Sequence, residues 1–280
     1  MGRPMAANLI QAGHRVRVWN RSQQPLEELV RKGAEAVAEP REVFGEVLIS
    51  MLADDAAVRD VILGSGMLDA APRGGIHANM ATISVALTDE LTEDHRRRGL
   101  HYIAAPVFGR PEAAASRQLN IVAAGETAAL DRVQPLLDAM GQRTWRLGVE
   151  PREASAAKLA GNFLIAAAIE GMAEAVVLAE RHGVRPAALL EILSSTLFAA
   201  PVYRSYGKLI AERRYEPAGF RLELGLKDVR LALAAGEAAR APMPVASLLR
   251  DHFLEAMAQG DGRRDWAALA EVARRHAGAV

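Results

Sequence analysis

The stretch Met1–Ser22, MGRPMAANLIQAGHRVRVWNRS, decides how the first half of the chain folds. Met5, Leu9 and Ile10 share one face of a short helix, a turn follows at Ala12-Gly13-His14, and Arg15–Trp19 alternates as a strand. The strand ends in the polar tip Asn20-Arg21-Ser22. Helix, tight turn, strand and polar tip are the second half of a βαβ unit. Gly2 stands where the third glycine of a G-x-G-x-x-G turn would stand, the one that lets helix and strand pack closely. The reading therefore expects a truncated start, with the unit's first strand and first two glycines lying outside the chain as written.

Working outward, the same alternation continues to about residue 150. Strand-like runs at Val47–Leu52, Ile76–Met80, Tyr102–Val107, Asn120–Ala123 and Thr144–Leu147 alternate with amphipathic pieces at Asp55–Leu63, Ser84–Arg98 and Thr127–Met140. Strands and helices of these lengths predict βαβ crossovers and a mostly parallel sheet. From Glu153 the strand pattern stops. A long Ala- and Leu-rich helical run reaches a C-cap at Gly183. Further helices are predicted near 186–195, 203–212, 222–239, 243–258 and 265–276, divided by Pro and Gly. The expected architecture is an α/β Rossmann-type domain over 1–150 and an all-helical domain over 151–280, joined by the long helix.

Bulk composition narrows the function. Lys+Arg and Asp+Glu are both 34, so the net charge is zero and nothing suggests a nucleic-acid or anionic-membrane partner. The absence of cysteine excludes disulfides, thiolate nucleophiles and cysteine zinc sites. The longest uncharged apolar run, Leu159–Ile169, is too short for a membrane span of ~20 residues, and no secretory signal is visible. The sequence reads as a cytoplasmic protein with no membrane partner. None of the histidines (14, 77, 95, 101, 182, 252 and 276) forms a ligand pair such as H-E-x-x-H, so no metal is expected.

Two places suggest chemistry. About 19 residues after Gly2, Asn20, Arg21 and Ser22 occupy the strand tip that reads an adenosine ribose. An acidic residue there would accept from the 2′-hydroxyl and repel a 2′-phosphate, whereas an arginine accommodates the phosphate; the tip favours NADP, with NAD as the second option. In EASAAKLAGNF, Lys158 and Asn162 lie four residues apart on one helix face. A lysine held in an apolar setting can donate a proton to a carbonyl oxygen. The same segment carries Ser155-x-x-Lys158, an acyl-hydrolase pattern whose companion elements S-D-N and K-T-G are absent. Lys227 and Asp228, in GLKDVRLALAAGEAA, open an apolar helix as a charged pair.

Taken in order, these segments resemble the β-hydroxyacid dehydrogenase family, which includes 3-hydroxyisobutyrate dehydrogenases and glyoxylate/succinic semialdehyde reductases and is related to 6-phosphogluconate dehydrogenase. Met1–Ser22 is similar to the family's cofactor motif from its last glycine onward. ISMLADDAAVRDVI and NMATIS are similar to the next cofactor loops, AAPVFGRPEAAASRQLNIVAAG to the substrate motif, AAKLAGNF to the catalytic motif and GLKDVRLAL to the second cofactor motif. The resemblance implies that Gly2, Asn20, Arg21, Ser22, Leu52, Ala53, Thr82 and Lys227 hold the cofactor. It implies that Lys158 is the acid/base and that Asn162 orients either the lysine or the substrate. It places the substrate carboxylate at Val107, Phe108 and Gly109, with Asp228 beside Lys227, and it implies a homo-oligomer, a dimer or tetramer.

Two departures stand out. Phe108 replaces the family's usual serine, removing a hydroxyl donor, and Arg110 replaces a glycine, adding a charge that can bind a carboxylate. The leading expectation is an NADP-dependent oxidoreductase acting on a small carbonyl or β-hydroxyacid. The alternatives are imine reduction on the same fold, against which Lys158 speaks, and a non-catalytic cofactor-binding scaffold.

Overall fold

The computed structural model describes residues 1–278. The chain forms two compact units, Met1–Lys158 and Leu159 onward, and their boundary falls inside one long helix.

In the first unit the opening helix is α1 (Gly2–Gln11), which turns at Gly13 into β1 (Arg17–Val18). There follow α2 (Gln24–Arg31), β2 (Glu35–Ala36), β3 (Val47–Ser50), α3 (Asp55–Val58) and β4 (Ile76–Asn79). Next come α4 (Val85–Arg97), β5 (His101–Ala104), β6 (Val107–Phe108), α5 (Pro111–Ala115), β7 (Leu119–Ala123), α6 (Thr127–Met140) and β8 (Gly141–Arg146). β2 and α5 are additions to the sequence reading. The expected strand over Tyr102–Val107 is broken in two at Pro106, which cannot donate to a ladder. The expected helix over Asp55–Leu63 is α-helical only to Val58 and continues as a π turn to Leu63.

The strands form three ladders rather than one mostly parallel sheet: β1-β2, β3-β4-β5 and β6-β7-β8. The first two are parallel, while β6 runs antiparallel to β7. Among the described residues, the β1 and β3 edges facing away from these ladders have no strand partner. The carbonyls of Val16 and Val18 bond β2, and those of Glu46 and Ser50 bond β4. Because a residue's N–H and C=O point to one side of a strand, Arg17 on β1 and Val47 and Ile49 on β3 turn theirs outward. These edges line a cavity of about 1380 Å³ together with Met5, Leu9 and Met51. The core of this unit is aliphatic: Ile76, Ala78, Ile103, Leu119, Ile121 and Val133 have no exposed surface above rounding.

The second unit is helical. α7 (Pro151–Arg181) crosses the unit boundary, and α8 (Pro186–Ser195), α9 (Pro201–Glu212), α10 (Leu222–Ala238), α11 (Pro244–Ala258) and α12 (Ala270–His276) follow. Proline opens α8, α9 and α11, where the missing N–H is harmless. α10 and α11 pack so closely that a Cβ at Gly225 would stand 2.8 Å from the Phe253 ring. By length and composition α7 is long and apolar enough to cross a membrane. Yet its Ala166, Ile169, Met172, Ala173 and Val176 are buried with Phe253 and Trp266 in the second unit's core, as in a core helix of a globular protein.

Candidate active site

Apart from Gly2, in the first turn of α1, the candidate cofactor residues of the first unit sit beyond the carboxyl ends of its parallel strands, where open α/β sheets bind ligands. Beyond β1, the Asn20 amide donates to the Ser22 carbonyl and hydroxyl, both at 2.9 Å. This closes a small turn whose middle residue, Arg21, is exposed. Beyond β3 come Leu52 and Ala53, and beyond β4 comes Thr82. Their loops are tied together, because the Ser84 N–H donates to Asp55 Oδ1 at 2.9 Å. Asp54 caps α3 by accepting from the Ala57 N–H at 2.8 Å. An added Cβ at Gly2 would meet Met51 Cβ at 3.7 Å, an ordinary contact, so helix packing alone does not require glycine there. The first turn of α1 has no side-chain cap. An exposed guanidinium, paired loops at strand ends and uncapped helix amides suit a dinucleotide phosphate.

β6 places the candidate substrate residues. Val107 pairs with Ile121 and Phe108 with Asn120, which fixes the face of the ladder from which the Phe108 side chain leaves. Gly109 has φ +145°, and a Cβ on it would stand 2.8 Å from Leu119 Cδ2, so only glycine fits between β6 and β7. Arg110 occupies the N-cap position of α5. Lys158 belongs to the same unit, and its ammonium lies 4.2 Å from the Phe108 ring centroid. The lysine is 7% exposed. Sequence reading paired it with Asn162 by helical spacing; it gave no sign of this aromatic contact.

In the second unit, Asn162 and Asp228 are joined. The Asn162 amide donates to Asp228 Oδ2 at 2.5 Å, and Lys227 Nζ lies 3.0 Å from Asp228 Oδ1. Lys227 and Asp228 lie in the second turn of α10 rather than at its start, and Asp228 is buried while Lys227 is partly exposed. The Asp228 carboxylate thus meets both Asn162 and Lys227, the neighbour beside which the sequence puts it.

A buried polar chain in the first unit was not foreseen. His95 Nδ1 lies 2.7 Å from the Leu91 carbonyl, which can only accept, so the Nδ1–H donates and Nε2 is the acceptor. His77 Nδ1–H therefore donates to His95 Nε2 at 3.0 Å, and Ser50 Oγ lies 2.7 Å from His77 Nε2 and 3.1 Å from Asn79 Oδ1. Both imidazoles are held neutral: burial lowers His95 to about 4 and pushes His77 well below its ordinary value. Beside them, Asn79 donates to the Tyr102 hydroxyl at 3.1 Å, and Thr88 Oγ1 lies 2.8 Å from Ser155 Oγ. His77 and Asn79 were the available signal, two polar residues inside the short strand IHAN. No cluster of metal-ligating residues is present among the described residues.

Comparison with known proteins gives this geometry a family. The sequence model for the NAD-binding domain of 6-phosphogluconate dehydrogenase matches residues 1–148. The one described as NAD-binding of NADP-dependent 3-hydroxyisobutyrate dehydrogenase matches 153–273. An uncharacterized oxidoreductase of Bacillus subtilis (strain 168) is 43% identical over 96% of this chain and 95% of its own. Glyoxylate/succinic semialdehyde reductase 1 of Arabidopsis thaliana is 31% identical over 98% and 95%. The solved 3-hydroxyisobutyrate dehydrogenase of Mycobacterium tuberculosis with L-serine is 27% identical. It superposes with a TM-score of 0.89, covering 98% of this chain and 96% of that one. The chain belongs to the β-hydroxyacid dehydrogenase family of NAD(P)-dependent oxidoreductases.

Proposed function

We propose that the chain uses NADPH to reduce a small aldehyde or keto acid to the hydroxyacid, with Lys158 as proton donor. The observation that carries this reading is a lysine only 7% exposed, one helical turn from Asn162. A nicotinamide cofactor, when bound, would supply the hydride that the carbonyl carbon takes up. Lys158 Nζ–H donates to the carbonyl oxygen and transfers its proton as that oxygen becomes a hydroxyl. Asp228, paired with Lys227, fixes the amide of Asn162, which orients the substrate. Phe108 offers an apolar wall and Arg110 a cation, a combination suited to a carboxylate-bearing substrate with some apolar bulk. Arg21 supports NADP over NAD, because its turn holds no carboxylate to repel a 2′-phosphate. Residues 1–150 take the cofactor role and 151–280 the substrate and dimerisation role in this reading. A second copy is the assembly partner: Leu164, Gly171 and Leu178 recur every seven residues along α7 and are all exposed.

The test is NADPH oxidation with glyoxylate and with succinic semialdehyde, the compounds in the plant relative's name. Lys158→Ala should lower kcat by on the order of 10²–10⁴ and leave the NADPH Kd nearly unchanged. Arg21→Ala should narrow the preference for NADPH over NADH. Near-normal turnover by the lysine variant overturns the mechanism, and failure of the wild type to bind NADPH returns the chain to a scaffold role.

A further inference from the structure

We infer that the buried hydroxyl pair Thr88–Ser155 positions Lys158 for proton transfer, which gives Ser155-x-x-Lys158 a role as anchor and donor. The inference rests on the reading of Lys158 as proton donor.

The donor directions follow from the partners. Thr88 Oγ1 donates to the Ser84 carbonyl, one turn back on α4, at 3.0 Å. With its only hydrogen used, Thr88 must accept from Ser155 Oγ–H at 2.8 Å. The Tyr102 hydroxyl is hydrogen-bonded to Thr88 and accepts from Asn79 at 3.1 Å. Asn79 Oδ1 in turn accepts from the Ala81 N–H at 3.1 Å, at the carboxyl end of β4. An unbroken set of hydrogen bonds thus runs from the end of the sheet to the second turn of α7, and every side chain in it is buried.

Lys158 follows Ser155 by three residues, so both project from neighbouring positions on one side of α7. Any rotation or slide of the helix that moves Ser155 also moves the lysine. Arg152 and Asp89 form a second link between α4 and α7, bonded at 2.8 Å through Nε and Oδ1, but it is exposed and contributes little orientation. The inner hydroxyl pair cannot slip without stranding polar groups in a dry place. A catalytic group displaced by about 1 Å can lose on the order of 10²-fold in rate, so such an anchor acts on kcat.

The experiment compares Ser155→Ala, Thr88→Val, Thr88→Ser and Lys158→Ala in the full chain. Ser155→Ala and Thr88→Val should each lower kcat about tenfold or more while the NADPH Kd stays within twofold. Thr88→Ser, which keeps the hydroxyl, should recover most of the rate. In a Lys158→Ala background, Ser155→Ala should cost nothing further, because the group it positions is gone. Wild-type kcat per folded molecule in Ser155→Ala, with Lys158→Ala inactive, overturns this inference alone. An equal cost of Ser155→Ala with and without Lys158 also overturns it. Normal turnover by Lys158→Ala sinks the proton-donor reading itself. Ser155→Ala removes one donor and leaves only acceptors behind, so it keeps the test open should Thr88→Val fail to fold.

Discussion

Lys158 Nζ lies 4.2 Å from the centroid of the Phe108 ring, so one side of the proposed proton donor is covered by an aromatic face. A desolvated cation–π contact of this kind is worth on the order of 2 kcal/mol. The backbone that carries the ring is fixed. Phe108 pairs with Asn120 across the β6–β7 ladder, and the next residue is a glycine that Leu119 leaves no room to replace.

This contact predicts that Phe108 sets substrate preference. Phe108→Ser should open space beside the ammonium and replace an apolar wall with a hydroxyl. The ratio of kcat/KM between two aldehyde acids differing by one apolar branch should then shift about 10–200-fold towards the smaller, the range a single methylene commands in an apolar pocket. Phe108→Leu, which keeps the apolar volume, should shift it far less. Equal ratios in wild type and Phe108→Ser would remove Phe108 from the substrate site.

The buried histidines predict a pH dependence of stability. His95 is lowered to about 4 chiefly by burial; its hydrogen bond to Leu91 and nearby Asp94 oppose the shift, and Arg98 adds to it. Burial, then His95, lowers His77. Their folded-state values lie below the unfolded value of about 6.5, so the unfolded chain binds protons first. Stability is complete above that pH and falls as pH drops towards 4, at about 1.4 kcal/mol per unit for each proton. Glu170 in the second unit is raised by burial and works in the opposite direction. Urea midpoints for wild type and His95→Gln between pH 8 and 4.5 isolate the histidine share. The difference between the two should shrink or reverse as the pH falls; parallel curves would rule the histidines out.

How much of this was legible follows from which physics is local. The α6 helix and the α8 and α10 segments could be read because periodicity and proline or glycine punctuation act within a few residues. β2 was missed because a two-residue strand has no periodicity to read, and the break at Pro106 was missed because Tyr102–Val107 is apolar throughout. Of the candidate site, Lys158 and Asn162 are singled out by their spacing on one helix. The Phe108, Thr88 and Asp228 contacts span 50, 67 and 66 residues of chain respectively, and no local pattern announces them.

The last prediction concerns the slot between β1 and β3. Arg17 on one side and Val47 and Ile49 on the other turn their backbone groups towards it, and its walls include Met5, Leu9 and Met51. Two parallel ladders with open edges and an apolar floor are the conditions under which an added strand gains both hydrogen bonds and buried surface. An engineered extension before Gly2, of about ten residues with an apolar strand and a glycine turn, is long enough, since a strand rises ~3.3 Å per residue. Each new ladder bond contributes roughly 0.5–1.5 kcal/mol net, so four or more should add a few kcal/mol. For a unit of this size that is a rise in Tm of about 10 °C, at ~2–4 °C per kcal/mol. The glycine turn would also bring amides to the first turn of α1, so the NADPH Kd should fall. Thermal melts and NADPH titrations of the chain with and without the extension decide the matter. An apolar strand that changes neither Tm nor Kd would show that the slot does not receive one. A scrambled extension of equal length with charges in the apolar positions should give no gain, which separates strand pairing from the mere presence of extra chain.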